Sequence, residues 1–165
     1  MALVEAREVV KRFGDNTVLA GVNLDVDAHE VVAGFTICND VSVRDWQRRT
    51  PTMTMGKSWD THGPTGPWLV TADEVGDPHD LGIRTWVDGD LRQDASTKQM
   101  ITNCWELIAH LSTAFTLLPG TIIATGTPAG VGFVMDPPRC MKPGSTVRIE
   151  IDKLGVLENP VIAQP

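Results

Sequence analysis

Four polar side chains between residues 40 and 57 could form a site for a small anion. Asp40, Arg44 and Gln47 are spaced by four and three residues, so they share one face if the segment after Asp40 is a helical turn. Arginine can grip a carboxylate through two parallel hydrogen bonds, and Lys57 adds a second cation. This combination of carboxylate, guanidinium, amide and ammonium groups is typical of a site for an oxygen-rich anion.

An apolar run of strand length, from Val31 to Ile37, leads directly to Asn39 and Asp40. A carboxylate at the end of a buried strand can bind Mg²⁺, Mn²⁺ or Ca²⁺, which prefer oxygen ligands. An isolated aspartate in this position more often caps the following turn. Arg44 and Gln47 could likewise lie on a solvated helix face, and a loop lysine such as Lys57 is commonly surface charge.

A second candidate region is the Gly/Pro-rich loop T-G-T-P-A-G-V-G, residues 125–132. Glycines free backbone N–H groups and threonine hydroxyls to form a cradle for an anion, which makes Gly126 and Thr127 candidates. The same composition can also simply turn the chain.

The remaining pattern predicts a β-rich domain with one clear helix. Asp88-Gly89 between two β-rich runs indicates a hairpin, and Asn103 with Glu106 predicts a capping box that begins a helix ended by Pro119-Gly120. Strands are predicted at 68–71, 83–87, 91–93, 121–125, 146–151 and 156–162.

Residues 1–30 predict a hairpin with its turn at Gly14-Asp15-Asn16. We treat them as a separate segment before a domain at 31–165, and one interpretation is that this segment is foreign to that domain. This segment resembles the opening of an ATP-binding cassette domain. The phosphate loop G-x-x-x-x-G-K-[ST] that would follow it is absent from the sequence, so we expect no ATP binding.

Composition limits the function classes. The chain has 165 residues and a formal net charge of −7, which argues against binding nucleic acid or an anionic membrane. Its three cysteines form no C-x-x-C pair, so we expect buried thiols in a reducing compartment and a cytoplasmic location. No apolar run is long enough for a membrane span, and we identify no signal peptide.

Residues 27–165 resemble the C-terminal catalytic domain of the fumarylacetoacetate hydrolase family. Several long motifs occur in the family's order, at 32–47, 56–61, 63–71, 115–132 and 141–151. The resemblance implies a rolled, mainly β (α+β), mostly antiparallel structure with a few short helices, usually dimeric. It also implies a metal-dependent hydrolase, isomerase or decarboxylase acting on a 2-oxo acid or acylpyruvate through a metal-bound enolate, as in the catabolism of aromatic compounds.

The resemblance also implies roles for individual residues. Asp40 falls on the family's metal ligand, with Thr61 as a companion, and Mg²⁺ is the expected ion, with Mn²⁺ or Ca²⁺ as alternatives. Arg44, Gln47 and Lys57 fall on catalytic positions, Arg44 and Gln47 also on substrate contacts. Thr127 and the adjacent Gly126 correspond to the end of the site that holds a substrate carboxylate, so the expected partner is a small 2-oxo or dicarboxylic acid.

Two parts of the family's site lack a clear counterpart. The family completes its metal site with an upstream Glu-x-Glu pair, whereas Glu5 and Glu8 are spaced by three and point to opposite faces of a strand. Glu8 alone is the candidate, and the lid's His/Glu pair has no match. The alternative interpretation is therefore a truncated or fused homologue that folds or dimerises without turnover.

Overall fold

The computed structural model describes residues 2–13, 16–27 and 32–163. Contacts divide the chain into two units, Met1–Ala33 and Gly34–Pro165, which are described separately. The strands are β1 Ala2–Phe13, β2 Asn16–Asp27, β3 Gly34–Cys38, β4 Thr65–Thr71, β5 Gly82–Val87, β6 Asp90–Ser96, β7 Thr146–Ile151 and β8 Gly155–Pro160. The helices are α1 Arg44–Gln47, α2 Ala72–Val75 and α3 Cys104–Ser112, with 3₁₀ turns at Thr54–Gly56, Thr97–Gln99 and Gly132–Val134.

The first unit is an antiparallel pair of the long strands β1 and β2, as the sequence predicts. Its ladder contains several register shifts. The predicted turn residues Gly14 and Asp15 lie outside the described residues, and so do the side chains of Glu5 and Glu8 in β1.

The second unit contains an antiparallel β3–β4 pair and a four-stranded antiparallel sheet in the order β6-β5-β7-β8. Alternating apolar side chains on these strands meet α2 and the loops around it, which gives one core. Its buried members are Ile37, Val70, Val75, Leu81, Val147, Ile149, Leu154 and Leu157. Antiparallel sheets with a few short helices are the predicted fold class.

The predicted hairpin at Asp88-Gly89 is confirmed. Both residues have positive φ, 54° and 82°, as a tight two-residue turn requires. The Asp88 carboxylate accepts hydrogen bonds from Ser145 Oγ at 3.0 Å and Thr146 N at 2.8 Å, so the turn is also tied to the start of β7.

Helix α3 begins as predicted but ends earlier. Asn103 and Glu106 form the capping box, with Glu106 N donating to Asn103 Oδ1 at 2.9 Å and Asn103 N donating to Glu106 Oε2 at 2.9 Å. The helix ends at Ser112 rather than at Pro119. Ser112 and Thr113 donate their hydroxyls to the carbonyls of Ala109 and His110, a local bonding pattern that competes with helix continuation.

The predicted buried strand at 121–125 is wrong. This segment has no regular structure and is largely exposed, because no strand within residues 32–163 pairs with it. The expectation of three buried thiols is also wrong, since Cys104 is buried while Cys38 and Cys140 are exposed. In the described part of the chain, no helix has the length and apolarity to cross a membrane.

Candidate active site

Asp40 lies at the protein surface, two residues after the end of strand β3. Asn39 is buried, its N–H donates to the Pro64 carbonyl at 2.9 Å, and its side chain donates to Asn159 Oδ1 at 3.3 Å. These bonds fix the end of β3 against the loop before β4 and against β8. Asp40 follows immediately, with 39% of its side chain exposed.

The carboxylate of Asp40 forms an ion pair with the Lys57 ammonium. Lys57 directly follows the 3₁₀ turn Thr54–Gly56, which packs on α1: Val43 N donates to the Gly56 carbonyl at 2.8 Å. A Cβ added to Gly56 would lie 2.5 Å from Gln47 Cβ, so only glycine permits this approach. The N-cap of α1 is Val43 with no side-chain cap bond, and the capping interpretation of Asp40 is therefore wrong.

The predicted grouping of Arg44 and Gln47 is confirmed by geometry. Arg44 Nη1 donates to Gln47 Oε1 at 2.7 Å, and the guanidinium carbon lies 5.3 Å from the centroid of the Phe133 ring. The contact with Gln47 uses one of the five guanidinium N–H donors. It also occupies one of the two lone pairs of the Gln47 amide oxygen, and the N–H groups of that amide stay available to a ligand.

Thr127 is exposed and is held by strand β6. Gln93 Nε2 donates to Thr127 Oγ1 at 3.0 Å and to the Pro128 carbonyl at 2.9 Å. Gly126 precedes it with φ 105°, a conformation that favours glycine. The two ends of this loop are thus fixed on different elements, Gln93 of β6 and, through Phe133, Arg44 of α1.

The described residues do not complete a metal site. Thr61 is exposed, and its hydroxyl lies 3.5 Å from His62 Nδ1. No group of three or more His, Cys, Asp or Glu side chains in the described ranges could hold a metal ion. Asp40 is the one hard ligand at this point among the predicted residues that are described, and Lys57 already neutralises it. The Glu8 side chain lies outside the described residues, so its predicted role is untested.

The charges of Asp40 and Lys57 affect the pKa of the neighbouring Cys38 thiol. Burial raises the pKa of Cys38, the Asp40 carboxylate raises that pKa further, and the Lys57 ammonium opposes both effects. Cys38 is therefore mainly the neutral thiol at neutral pH, and we assign it no nucleophilic role.

Three residues of this arrangement were not predicted from the sequence: Gly56, Gln93 and Phe133. Gln93 is the last residue of a predicted strand and belongs to none of the motifs identified in the sequence. Phe133 follows the Gly/Pro loop, and its place in the site is apparent only from the tertiary contact with Arg44. Gly56 lies inside the motif G-K-S-W-D-T, where its direct neighbour Lys57 was the residue singled out.

Comparison with known proteins identifies the class. The sequence profile described as fumarylacetoacetate (FAA) hydrolase C-terminal matches residues 8–162, so the chain belongs to this family. The match includes most of the β1–β2 segment as well as the whole site.

The chain is similar to particular enzymes of the family. It is 49% identical over 138 residues to the mitochondrial oxaloacetate tautomerase fahd2 of Xenopus laevis, covering 82% of this chain and 43% of that protein. It superposes on the fumarylacetoacetate hydrolase of Exiguobacterium antarcticum with a TM-score of 0.79 at 42% identity, covering 82% of this chain and 48% of that one. For the 2-hydroxyhepta-2,4-diene-1,7-dioate isomerase of Mycobacterium marinum the TM-score is 0.70 at 45% identity, with 79% and 48% covered. The chain thus spans less than half the length of the curated relatives it matches.

Proposed function

We propose that this protein is an enzyme that acts on a small 2-oxo acid by forming its enol or enolate. The observation that carries the proposal is the pairing of Lys57 with Asp40 and of Arg44 with Gln47 within residues 40–57, on a chain that belongs to this family. The similar proteins named above are a tautomerase, a hydrolase and an isomerase, and each of these reaction classes can pass through a negative charge on a keto oxygen.

Enolisation of a 2-oxo acid moves a proton from the carbon next to the keto group and places negative charge on the keto oxygen. Keto–enol tautomerisation ends when that oxygen takes up a proton and the carbon has lost one, so atoms and charge balance without a further reactant. Decarboxylation releases such an enolate as CO₂ leaves, carbon–carbon bond hydrolysis releases one after water adds to the cleaved carbonyl group, and double-bond migration passes through one.

Each side chain of the proposed site has a role that follows from its charge and its hydrogen-bond donors. Lys57 is a fixed cation, and an ammonium held near the developing oxyanion stabilises the transition state more than the ground state. Arg44 has four N–H donors left after its bond to Gln47, enough to hold a carboxylate bidentately. Thr127 and the N–H groups of Gln47 would then orient the remaining oxygens.

We propose that a divalent ion takes part in the reaction. Such an ion would act as a Lewis acid on the substrate's oxygens. Among the predicted ligands whose side chains are described, Asp40 is the one carboxylate and Thr61 the one hydroxyl, so further groups would have to complete the site. Added Mg²⁺ or Mn²⁺ against a chelator is therefore an arm of the test.

The test compares lysine variants with the unaltered chain. Loss of the enol absorbance of oxaloacetate, decarboxylation of oxaloacetate and hydrolysis of acetylpyruvate are each followed with and without metal. Lys57→Met should lower kcat about 10²–10³-fold, as expected when an oxyanion-stabilising charge is removed. Lys98→Met is the matched control, because Lys98 forms an exposed ion pair with Asp80 at 2.6 Å outside the proposed site. Equal rates for the two variants would overturn the proposal.

The second candidate function is a non-catalytic homologue. It is favoured by the chain's span of less than half of its relatives and by the lack, among the described residues, of three His, Cys, Asp or Glu side chains that could hold a metal ion. In that case a folded protein should show no turnover of any of these substrates and no rise in melting temperature with Mg²⁺ or Mn²⁺.

We also propose a homodimer. Large apolar side chains stay exposed along the segment after α3, with Leu118 at 66% and Ile122 at 71% exposure. A second copy would cover such surface at a hydrophobic gain, and light scattering after gel filtration measures the mass directly.

A further inference from the structure

Gln93 makes both of its described side-chain contacts with the loop that carries Thr127. The residue is half-buried on β6, opposite Thr85 of β5. One atom, Nε2, donates to Thr127 Oγ1 at 3.0 Å and to the Pro128 carbonyl at 2.9 Å. Both hydrogens of the amide nitrogen are therefore used on two consecutive loop residues.

The Pro128 carbonyl fixes which way the amide faces. A carbonyl oxygen can only accept, so the NH₂ group and not the amide oxygen of Gln93 must face the loop. The second hydrogen of that nitrogen then points at Thr127 Oγ1, and the hydroxyl accepts it. Because the Thr127 hydroxyl cannot donate back to an NH₂ group, its own hydrogen stays available on an exposed side chain.

The neighbouring residue of β6 fixes the backbone of the same loop. Gly130 approaches the Arg92 carbonyl so closely that a Cβ on it would lie 1.9 Å from the oxygen. Consecutive positions of one strand thus hold the loop, Arg92 through the main chain at Gly130 and Gln93 through the side chain at Thr127.

We propose that Gln93 is a positioning residue that sets the Thr127 hydroxyl as a hydrogen-bond donor toward a carboxylate oxygen of the bound acid. This inference rests on the proposed function for its ligand. A hydroxyl that accepts a hydrogen bond from a fixed donor has less freedom to reorient when it donates to an anion, which strengthens binding without touching the reacting carbon.

Gln93→Glu tests the polarity of this contact. A carboxylate has nearly the shape of the amide but only accepts, so the Thr127 hydroxyl would donate to the introduced carboxylate and be lost to the ligand. The expected result is an increase of about tenfold or more in the Kd of oxalate and in KM, the range of a hydrogen bond to a charged group, with kcat changed far less. Thr127→Val should show the same increase in Kd and KM, whereas Thr127→Ser should not. The double variant Gln93→Glu/Thr127→Val should bind oxalate no more weakly than either single variant.

Gln99→Glu is the control for added charge. Gln99 accepts a hydrogen bond from Ser96 N in a capping box, and a glutamate can accept the same bond. The Gln99→Glu variant should therefore bind oxalate with the Kd of the unaltered chain. Gln93→Leu supplies a second variant if Gln93→Glu lowers the melting temperature strongly.

The outcomes separate the two proposals because oxalate binding is measured by calorimetry, without turnover. If the unaltered chain binds oxalate but turns over nothing, the proposed function is overturned and the Gln93 inference is still decided by the variants. If Gln93→Glu and Gln93→Leu bind oxalate as the unaltered chain does, or if their effects add to that of Thr127→Val, the Gln93 inference is overturned. If the unaltered chain turns over oxaloacetate but binds no oxalate, the Gln93 inference is overturned and the proposed function stands; if it does neither, both are overturned.

Discussion

The two regions that carry the candidate site are built in different ways. The segment from Asn39 to Lys57 continues a buried strand and is held mainly by main-chain hydrogen bonds and by the close approach of Gly56 to Gln47. The loop 126–134 has no core residue of its own and is held from outside, by Gln93 and the Arg92 carbonyl at one end and by Arg44 at the other. The charged groups of Asp40 and Lys57 thus lie on a segment held by its main chain. The hydroxyl of Thr127 is held by the side chain of Gln93, which substitution can alter without unfolding the domain.

The largest expected effect comes from removing the core support of the first region. Ile37 is 1% exposed on β3, and Ile37→Ala should lower the free energy of unfolding by about 2–5 kcal/mol because it leaves a cavity. Val134→Ala in the loop region, where the side chain is 75% exposed, should change it by less than about 0.5 kcal/mol. Urea unfolding followed by fluorescence measures both, since all five tryptophans lie between residues 46 and 105. Similar losses for the two variants would contradict the distinction.

Gly56→Ala should break the packing inside the first region. The new Cβ would meet Gln47 Cβ and Cα at 2.5 and 2.6 Å, and moving α1 away should cost about 1–3 kcal/mol of stability. Gly56 is not one of the glycines with positive φ, so alanine there adds no left-handed backbone strain and the contact with Gln47 is the expected cause of the loss. A Gly56→Ala variant as stable as the unaltered chain in urea unfolding would contradict this packing.

A matched glycine pair tests the second region. Gly126 and Gly130 have nearly equal φ, 105° and 103°, but only Gly130 has a neighbour, the Arg92 carbonyl, in the way of a Cβ. Alanine at either position therefore adds similar strain, and Gly130→Ala should in addition lift the loop and weaken oxalate binding by about tenfold. Calorimetry of both variants decides this, and equal affinities would mean that the contact with β6 does not position Thr127.

The smallest expected effect is a pH dependence near the start of α3, which leads into the loop region. The Asp77 carboxylate accepts from His79 N at 2.9 Å, and this bond lowers the pKa of Asp77, while His79 Nε2 accepts from Cys104 N at 3.0 Å. A lowered folded-state pKa stabilises the fold above the unfolded value of about 3.9 and loses that contribution as pH falls through the folded pKa. The melting temperature of Asp77→Asn should therefore lie slightly below that of the unaltered chain at pH 7, and the gap should close on acidification. A gap that widens toward low pH would contradict this.

The sequence was a good guide wherever a local pattern decides structure. Alternation predicts β7 and β8, the Asp88-Gly89 pair predicts its hairpin, and the spacing of Arg44 and Gln47 predicts a turn of helix that brings them together. Each of these depends on residues close together in the chain, so propensity and periodicity suffice.

Most of the misses depend on contacts between distant segments, and the early end of α3, set by the local bonds of Ser112 and Thr113, is the exception. Residues 121–125 have the composition of a buried strand but no strand in the described part of the chain for them to pair with. Gln93 and Phe133 matter only because the loop 126–134 meets β6 and α1, elements that lie far from it in the sequence. The ion pair of Asp40 with Lys57 likewise replaces the capping role that local statistics favour for an aspartate at a strand end.

The contact between Gly130 and β6 has a consequence for solubility. Strand β6 is an edge of the four-stranded sheet in the described part of the chain, and an uncovered edge is a template for pairing with strands of other molecules. The loop that presents Thr127 lies on that edge at Arg92. Protection against edge-to-edge aggregation and presentation of the hydroxyl are therefore properties of the same short stretch of chain, and a substitution that frees the loop to take a larger ligand would also uncover the sheet.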